Sequence, residues 1–242
     1  MIDPKDIQQF VEDHIVEFHD SRIRRLSQLN PQDVLRRKNP YLFRAKNITT
    51  VDELIRQLLV AFSSSQEETI FGEFLEKLAI YSCQLAKGGF KSGIENIDLE
   101  FEEDGTRYII TIKSGPNWGN SSQIRKMVDD FNKAKIILRT QNRRQHIVAI
   151  NGCCYGRDRK PDKGSYFKLC GQEFWQFITG ESEYYATIIE PLGYRAKEKN
   201  DAYMASFSQL INRFSHEFYD LYCLPDGRID WEQLLRFNSG SN

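Results

Sequence analysis

The chain has 242 residues, 40% of them hydrophobic and 28% charged, with a formal net charge of −1. This is the ordinary balance of a globular protein with a buried core, and it carries no overall basic signature of a polyanionic partner. No apolar run approaches the ~20 residues that span a bilayer, and the polar start MIDPKDIQQF predicts no secretory leader.

Residues 3–20 read as a helix with Ile7, Phe10, Val11, His14, Ile15 and Phe18 on one face. They are acidic. The following stretch, 21–46, is basic: Arg22, Arg24, Arg25, Arg36, Arg37, Lys38, Arg44 and Lys46 face one acid, Asp33. Thr50-x-x-Glu53 and Ser65-x-x-Glu68 read as capping boxes, which predicts one helix to about Phe62 and another to about Ala86. Lys87-Gly88-Gly89 stops the second, and an extended piece follows near 89–94.

A hairpin comes next. Asp104-Gly105 is a type I′ turn signal, because both residues tolerate positive φ. Ile97, Leu99 and Phe101 alternate before it, and Tyr108, Ile110 and Ile112 after it, giving strands at 96–102 and 107–113. A two-residue turn pairs Glu103 with Thr106, Glu100 with Ile109 and Asp98 with Thr111. Cross-strand partners share a face, so Asp98, Thr111 and Lys113 stand together. A solvated hairpin face with scattered charges is the plainer alternative.

The loop Ser114-Gly115-Pro116-Asn117-Trp118-Gly119-Asn120 leads into a helix carrying Ile124, Met127, Val128, Phe131, Ala134 and Leu138. Asn120 or Ser121 can cap it. A strand at His146–Ile150, a basic loop at Tyr155–Ser165, a helical region opened by Phe174-Trp175-Gln176-Phe177 and a helix at about 201–222 complete the reading. The aromatic stripe of that last helix reads as core or a dimer seam. The five cysteines lack metal-ligand spacing and read as free buried thiols.

From 65 to 151 the order is helix, three strands, helix, strand: an α/β, mixed-sheet core with helices on both faces. Asp98 and Lys113 then acquire a chemical meaning. Phosphodiester hydrolysis uses a divalent cation held by carboxylate and carbonyl oxygens, with a cationic side chain beside the reacting phosphate. Asp98, the Ile112 carbonyl and Lys113 supply that set, and only the second carboxylate is missing, since Thr111 occupies its place.

This pattern resembles the PD-(D/E)xK nuclease superfamily, and within it the type II restriction endonucleases, whose core is α-β-β-β-α-β. Asp98 matches the first acid, with Asn96-Ile97 in place of the usual proline context. Thr111-Ile112-Lys113 matches the terminal half-motif with its acid replaced. The superfamily commonly carries a glutamate in a G-x-x-x-E setting on the preceding helix, here Gly72 to Glu76. That makes Glu76 the expected replacement, with Glu73 and Glu100 as alternatives. The strings KNPYLFRAKN, SSSQEETIFGEFLE, IKSGPNWGNSSQ and NGCCYG are similar to a group of bacterial restriction enzymes over residues 35–195.

The resemblance implies Mg²⁺-dependent, sequence-specific cleavage of double-stranded DNA with 5′-phosphate ends by a cytoplasmic bacterial homodimer. Mn²⁺ would substitute, and no organic cofactor or membrane would be involved. Metal would sit on Asp98, Ile112 and Glu76, with Lys113 and either Glu76 or Glu73 completing the catalytic set. DNA contacts would come from Arg36, Arg37, Lys38, Arg44 and Lys46, and from Ser114, Asn117, Trp118, Asn120, Ser121 and Gln123. The alternatives are a structure-specific repair or junction nuclease of the same core and an inactive DNA-binding protein. The expected organisation is one endonuclease domain over 1–242. Its parts are a helical, basic region at 1–62, the catalytic core at 63–151, and loops and helices at 152–242 for DNA contact or dimerisation.

Overall fold

The computed structural model describes residues 2–241, apart from the side chain of Gln141. Helices α1 (Pro4–Ser27), α2 (Pro31–Arg37), α3 (Pro40–Ala45) and α4 (Val51–Lys87) precede strands β1 (Phe90–Lys91), β2 (Leu99–Glu103) and β3 (Thr106–Lys113). Then come α5 (Ser121–Gln141), β4 (His146–Cys153), β5 (Phe167–Cys170), α6 (Gln172–Thr179), α7 (Tyr184–Thr187), α8 (Ile189–Leu192), α9 (Ala196–Tyr222) and α10 (Trp231–Ser239). The chain forms two compact units, one of residues 1–15 and 71–194, the other of 16–70 and 195–242.

The first unit is built on a sheet in the order β1-β2-β3-β4-β5. β1, β2 and β3 are antiparallel, whereas β4 and β5 run parallel to β3. Asp104 and Gly105 take φ of 49° and 74°, as a type I′ turn requires. The register is the expected one from Glu103 opposite Thr106 to Glu100 opposite Ile109. The expected pairing of Asp98 with Thr111 on one face is not formed: the ladder ends at Leu99 opposite Ile110, and the Asp98 N–H donates to the Ile110 carbonyl. A parallel pair needs a crossover, and α5 supplies it between β3 and β4. Its apolar stripe, Met127, Phe131, Ala134 and Leu138, packs with Ile97, Ile109, Ile147 and Ala149 on one face of the sheet.

The other face meets α4 and α6. Phe101 stacks on Tyr108 with 4.9 Å between ring centroids, and the Phe177 ring stands edge-on to Tyr108 at 5.1 Å. Trp175 is fully enclosed and donates its indole N–H to the Cys154 carbonyl at 2.8 Å. Helices thus cover both faces of the sheet, the mixed α/β core expected from the sequence.

The second unit has its own core. Leu54, Ile55, Leu58 and Leu59 of α4 pack with Tyr203, Phe207, Leu210, Ile211, Phe214 and Phe218 of α9. The α9 stripe is therefore core. Within this unit the Arg22 guanidinium lies 3.9 Å from the Tyr203 ring centroid and pairs with Glu67 at 2.8 Å.

The elements differ from expectation in several places: α1 runs on to Ser27, and α2 and α3 form within the basic stretch that follows it. The two helices expected at 50–62 and 65–86 are one, because the serine run at 63–65 does not interrupt α4. Thr69 Oγ1 donates back to the Ser65 carbonyl at 3.2 Å, so hydroxyl side chains are accommodated within the helix. β5 and α10 were not anticipated from the pattern. The five cysteines carry free thiols, and all but Cys223 are buried.

Candidate active site

The first carboxylate is placed by the sheet. The Asp98 N–H donates to the Ile110 carbonyl at 2.9 Å, just before β2 begins. Its Oδ2 accepts the Ile112 N–H at 2.6 Å. In an antiparallel ladder a residue directs its N–H and C=O to the same neighbour. The Ile112 carbonyl therefore opens on the edge where Asp98 stands.

The second carboxylate comes from α4. Glu76 is half-buried, and its carboxyl is pushed above the usual range, first by burial and then by the negative charge of Asp98, with Lys91 and Lys113 opposing. Asp98 is also raised by burial, against the Ile112 N–H, Lys113 and Lys91. Glu76, Asp98 and Lys113 thus share one field. Glu76 joins them because α4 presses close to the end of β3. A Cβ added at Gly72 would stand 3.2 Å from Ser114 Oγ, so α4 and the loop after Lys113 approach closely there. One turn further along α4 lies Glu76. Glu73 is exposed and acts on Glu76 only as a weaker like charge.

Glu100, the other alternative, is spent elsewhere: it pairs with Arg107 at 3.0 Å and accepts from Ser92 Oγ at 2.6 Å. Thr111 is sealed as well. Its hydroxyl donates to Met127 Sδ at 3.5 Å and accepts from Asn151 Nδ2 at 3.4 Å, so this position faces α5 and not the carboxylates. A carboxylate at 111 would be buried without a partner, at a cost of several kcal/mol or a protonated acid.

Lys113 is half-exposed, with Nζ 5.4 Å from the Trp118 ring centroid. Trp118 Nε1 donates to Asn151 Oδ1 at 3.1 Å. Two of the strings read from sequence, IKSGPNWGNSSQ and NGCCYG, dock into one another here. The Cys154 and Tyr155 N–H groups donate to the Lys113 and Ser114 carbonyls at 2.9 and 3.1 Å. Two residues near the site were missed. Lys91 lies 3.8 Å from Glu76, but a two-residue strand gives no periodic signal. Asn151 lay inside a quoted string without a role, because only the fold shows that its amide joins Trp118 to Thr111.

The other expected DNA contacts fall in two sets. Asn120 accepts from the Ser122 and Gln123 N–H groups, and Gln123 Oε1 accepts the Asn120 N–H, so both serve as the capping box of α5. Asn117 and Ser121 are exposed, and Ser114 is half-exposed. Arg36, Arg37, Lys38, Arg44 and Lys46 belong to the other compact unit. Arg36 lies 5.1 Å from the Phe237 ring centroid and Arg44 5.8 Å from that of Trp231. Lys38 donates to the Ala61 carbonyl at 3.2 Å and Lys46 to Gln57 at 3.1 Å.

No group of three or more His, Cys, Asp or Glu forms a metal cluster among the described residues. The oxygen donors that could hold a metal are two carboxylates, Asp98 and Glu76, and the Ile112 carbonyl. They suit a hard cation that keeps several waters.

The family described as Type II restriction endonuclease EcoO109I matches residues 5–200. The chain belongs to that family. A type II restriction endonuclease is a site-specific deoxyribonuclease, a hydrolase whose substrate is DNA. Its family generally uses divalent metal ions, and the paired acids of this endonuclease fit such an ion. No curated protein matches the chain. Among the described residues no helix is long and apolar enough to cross a membrane.

Proposed function

We propose that the endonuclease cleaves double-stranded DNA at a fixed sequence in a Mg²⁺-dependent reaction that leaves 5′-phosphate ends, with Mn²⁺ able to replace Mg²⁺. The observation that supports this reading is that Asp98 Oδ2 is held by the Ile112 N–H beside Lys113, while Glu76 of α4, 3.8 Å from Lys91, feels the charges of both Asp98 and Lys113. Asp98, Glu76 and the Ile112 carbonyl would hold the metal. When bound, it lowers the pKa of a water and neutralises charge on the phosphate. Lys113 faces the scissile phosphate and stabilises its developing negative charge.

The whole chain is taken to work as one endonuclease, and a homodimer matches a two-fold DNA site. Arg36, Arg37, Lys38, Arg44 and Lys46 would hold phosphates. If so, replacing Arg36, Arg37 and Lys38 flattens the salt dependence of DNA affinity by roughly 0.9 per lost contact. Ser114, Asn117 and Ser121 would meet DNA beside the cleavage point.

The test is digestion of DNA of known sequence with Mg²⁺, followed by end mapping, for the wild type, Asp98→Ala, Glu76→Gln and Lys113→Ala. Discrete fragments from the wild type and none from the variants are expected. Fragments that survive Asp98→Ala or Lys113→Ala would overturn the site assignment.

A further inference from the structure

The loop between β4 and β5 has a construction that the cleavage site does not require. Asp158 lies inward and collects the basic side chains around it. Lys163 Nζ stands 2.9 Å from its carboxylate and Lys168 Nζ 3.6 Å, and the Lys160 N–H donates to Oδ1 at 2.9 Å. Backbone bonds from Lys163 N–H to the Tyr166 carbonyl and from Lys168 N–H to the Pro161 carbonyl close the loop, at 3.0 and 2.8 Å. Arg157 and Arg159, on either side of Asp158, are exposed. Neither forms an ion pair or a hydrogen bond among the described residues. The lysines are thus spent inside the loop, and two arginines are presented outward from a fixed frame.

That frame is fastened to the loop after Lys113. Lys168 Nζ also donates to the Pro116 carbonyl at 2.8 Å. A Cβ at Gly115 would stand 2.3 Å from the Tyr155 ring, so the two loops are in direct contact. Arg157 and Arg159 also line a cleft of about 710 Å³ that reaches Phe71 and Leu75 of α4, residues that bracket Gly72 and adjoin Glu76. A cationic edge on a loop fastened to the segment after Lys113 fits duplex DNA. The pairing of rigid support with a planar two-donor side chain fits base edges better than phosphates. Arginine is the side chain that matches guanine O6 and N7 together, and phosphate contacts need no such fixed frame.

We propose that Arg157 and Arg159 are specificity-determining residues that read guanine edges in the major groove of the cleaved duplex. The proposal rests on the reading of Asp98 and Lys113 as the cleavage site, which fixes where the duplex lies. The loop attachment gives the arrangement its purpose: a correctly read base holds the segment after Lys113 in place.

The experiment measures kcat/KM on duplexes carrying the mapped cleavage site, with each guanine in turn replaced by 7-deazaguanine, which lacks the N7 acceptor. The proteins are the wild type, Arg157→Ala, Arg159→Ala, Arg157→Lys and Lys113→Ala. Each alanine variant is expected to lower kcat/KM on the unmodified site at least about tenfold, the loss of one bidentate base contact. It should also become indifferent to 7-deazaguanine at one position where the wild type is sensitive, and Arg157→Lys should not restore that sensitivity. Unchanged kcat/KM in both alanine variants would overturn the proposal. So would a loss that leaves full sensitivity to every 7-deazaguanine, which marks phosphate contacts only, or a mapped site without guanine. Cleavage surviving Lys113→Ala would instead sink the catalytic assignment and leave the arginine result standing.

Discussion

Trp118 and Asn151 are joined by one hydrogen bond of 3.1 Å, and the indole that it fixes is the surface beneath the Lys113 ammonium. Asn151 is only 1% exposed and is held by the sheet, so the ring has a rigid mount. A cation over an aromatic face gains about 0.5–2 kcal/mol. Trp118→Ala should therefore lower kcat by up to roughly 30-fold with little change in KM, because Lys113 is lost from position and not from charge. Trp118→Phe keeps a ring face and should recover most of the rate. Steady-state kinetics on a plasmid would show it, and a pure KM effect would contradict the positioning role.

Thr111→Val should leave metal-dependent cleavage near the wild-type rate, because the hydroxyl serves Met127 and Asn151 and not the carboxylates. The cost appears in stability, about 1–3 kcal/mol for the Asn151 amide left unsatisfied. Thr111→Glu, which restores the common motif by sequence, should lower the melting temperature without raising activity. A faster enzyme from Thr111→Glu would show that this position does reach the metal.

Gly72→Ala and Gly72→Val should part company. Alanine raises helix stability by about 0.5–1 kcal/mol, and the Ser114 hydroxyl 3.2 Å away can rotate aside. Valine adds two methyl groups that must displace the segment next to Lys113. Thermal melts should rise for Gly72→Ala, and cleavage should fall more than tenfold only for Gly72→Val.

The hairpin was legible in the sequence because its information is local. Asp104-Gly105 dictates the turn, so the pairing of Glu100 with Ile109 followed. Alternation failed at the start of β2, where Ile97 packs toward α5 while Phe101 packs on the other face, and Asp98 does not share a face with Thr111. The Glu76 assignment could be guessed only by resemblance, since nothing local says which face of a helix will meet a strand edge. The α4 helix was misread for the opposite reason. A capping box at Ser65 is a valid local signal, but buried residues such as Leu59 and Ile70 on either side carry the helix through it. β5 was illegible because four residues, Phe167–Cys170, show no usable alternation and owe their strand to pairing with β4.

His19 supplies a pH dependence of folding. It is buried, its Nδ1 has no hydrogen-bond partner among the described residues, and its pKa is lowered from 6.5, first by burial and then by Arg22 and Lys199. Asp20 and Glu67 oppose that shift. Above about 6.5 both folded and unfolded states are neutral here. Below it the unfolded chain binds the proton first, so stability falls as pH drops toward the folded pKa. His19→Gln should flatten this part of the acid limb in melting curves taken between roughly pH 7 and 5. An unchanged slope would place the acid sensitivity elsewhere.

Asp98 and Glu76 give the opposite sign. Both carboxyls are raised in the folded protein, so stability from them is present at low pH and is lost as pH rises through their folded values. Glu76→Gln and Asp98→Asn should each raise the melting temperature of the metal-free protein at neutral pH. Adding Mg²⁺ should stabilise the wild type and have a much smaller effect on either variant. Equal Mg²⁺ shifts in all three proteins would disconnect the metal from these acids.

The bond from the Ile112 N–H to Asp98 Oδ2 makes an acidic side chain one rung of the ladder, where a main-chain carbonyl would ordinarily stand. One oxygen of Asp98 is thereby committed to holding the two strands together. The aim of this acid is inherited from strand register. Glu76 comes from a helix and has no such tether, so the pair combines one fixed jaw with one adjustable jaw.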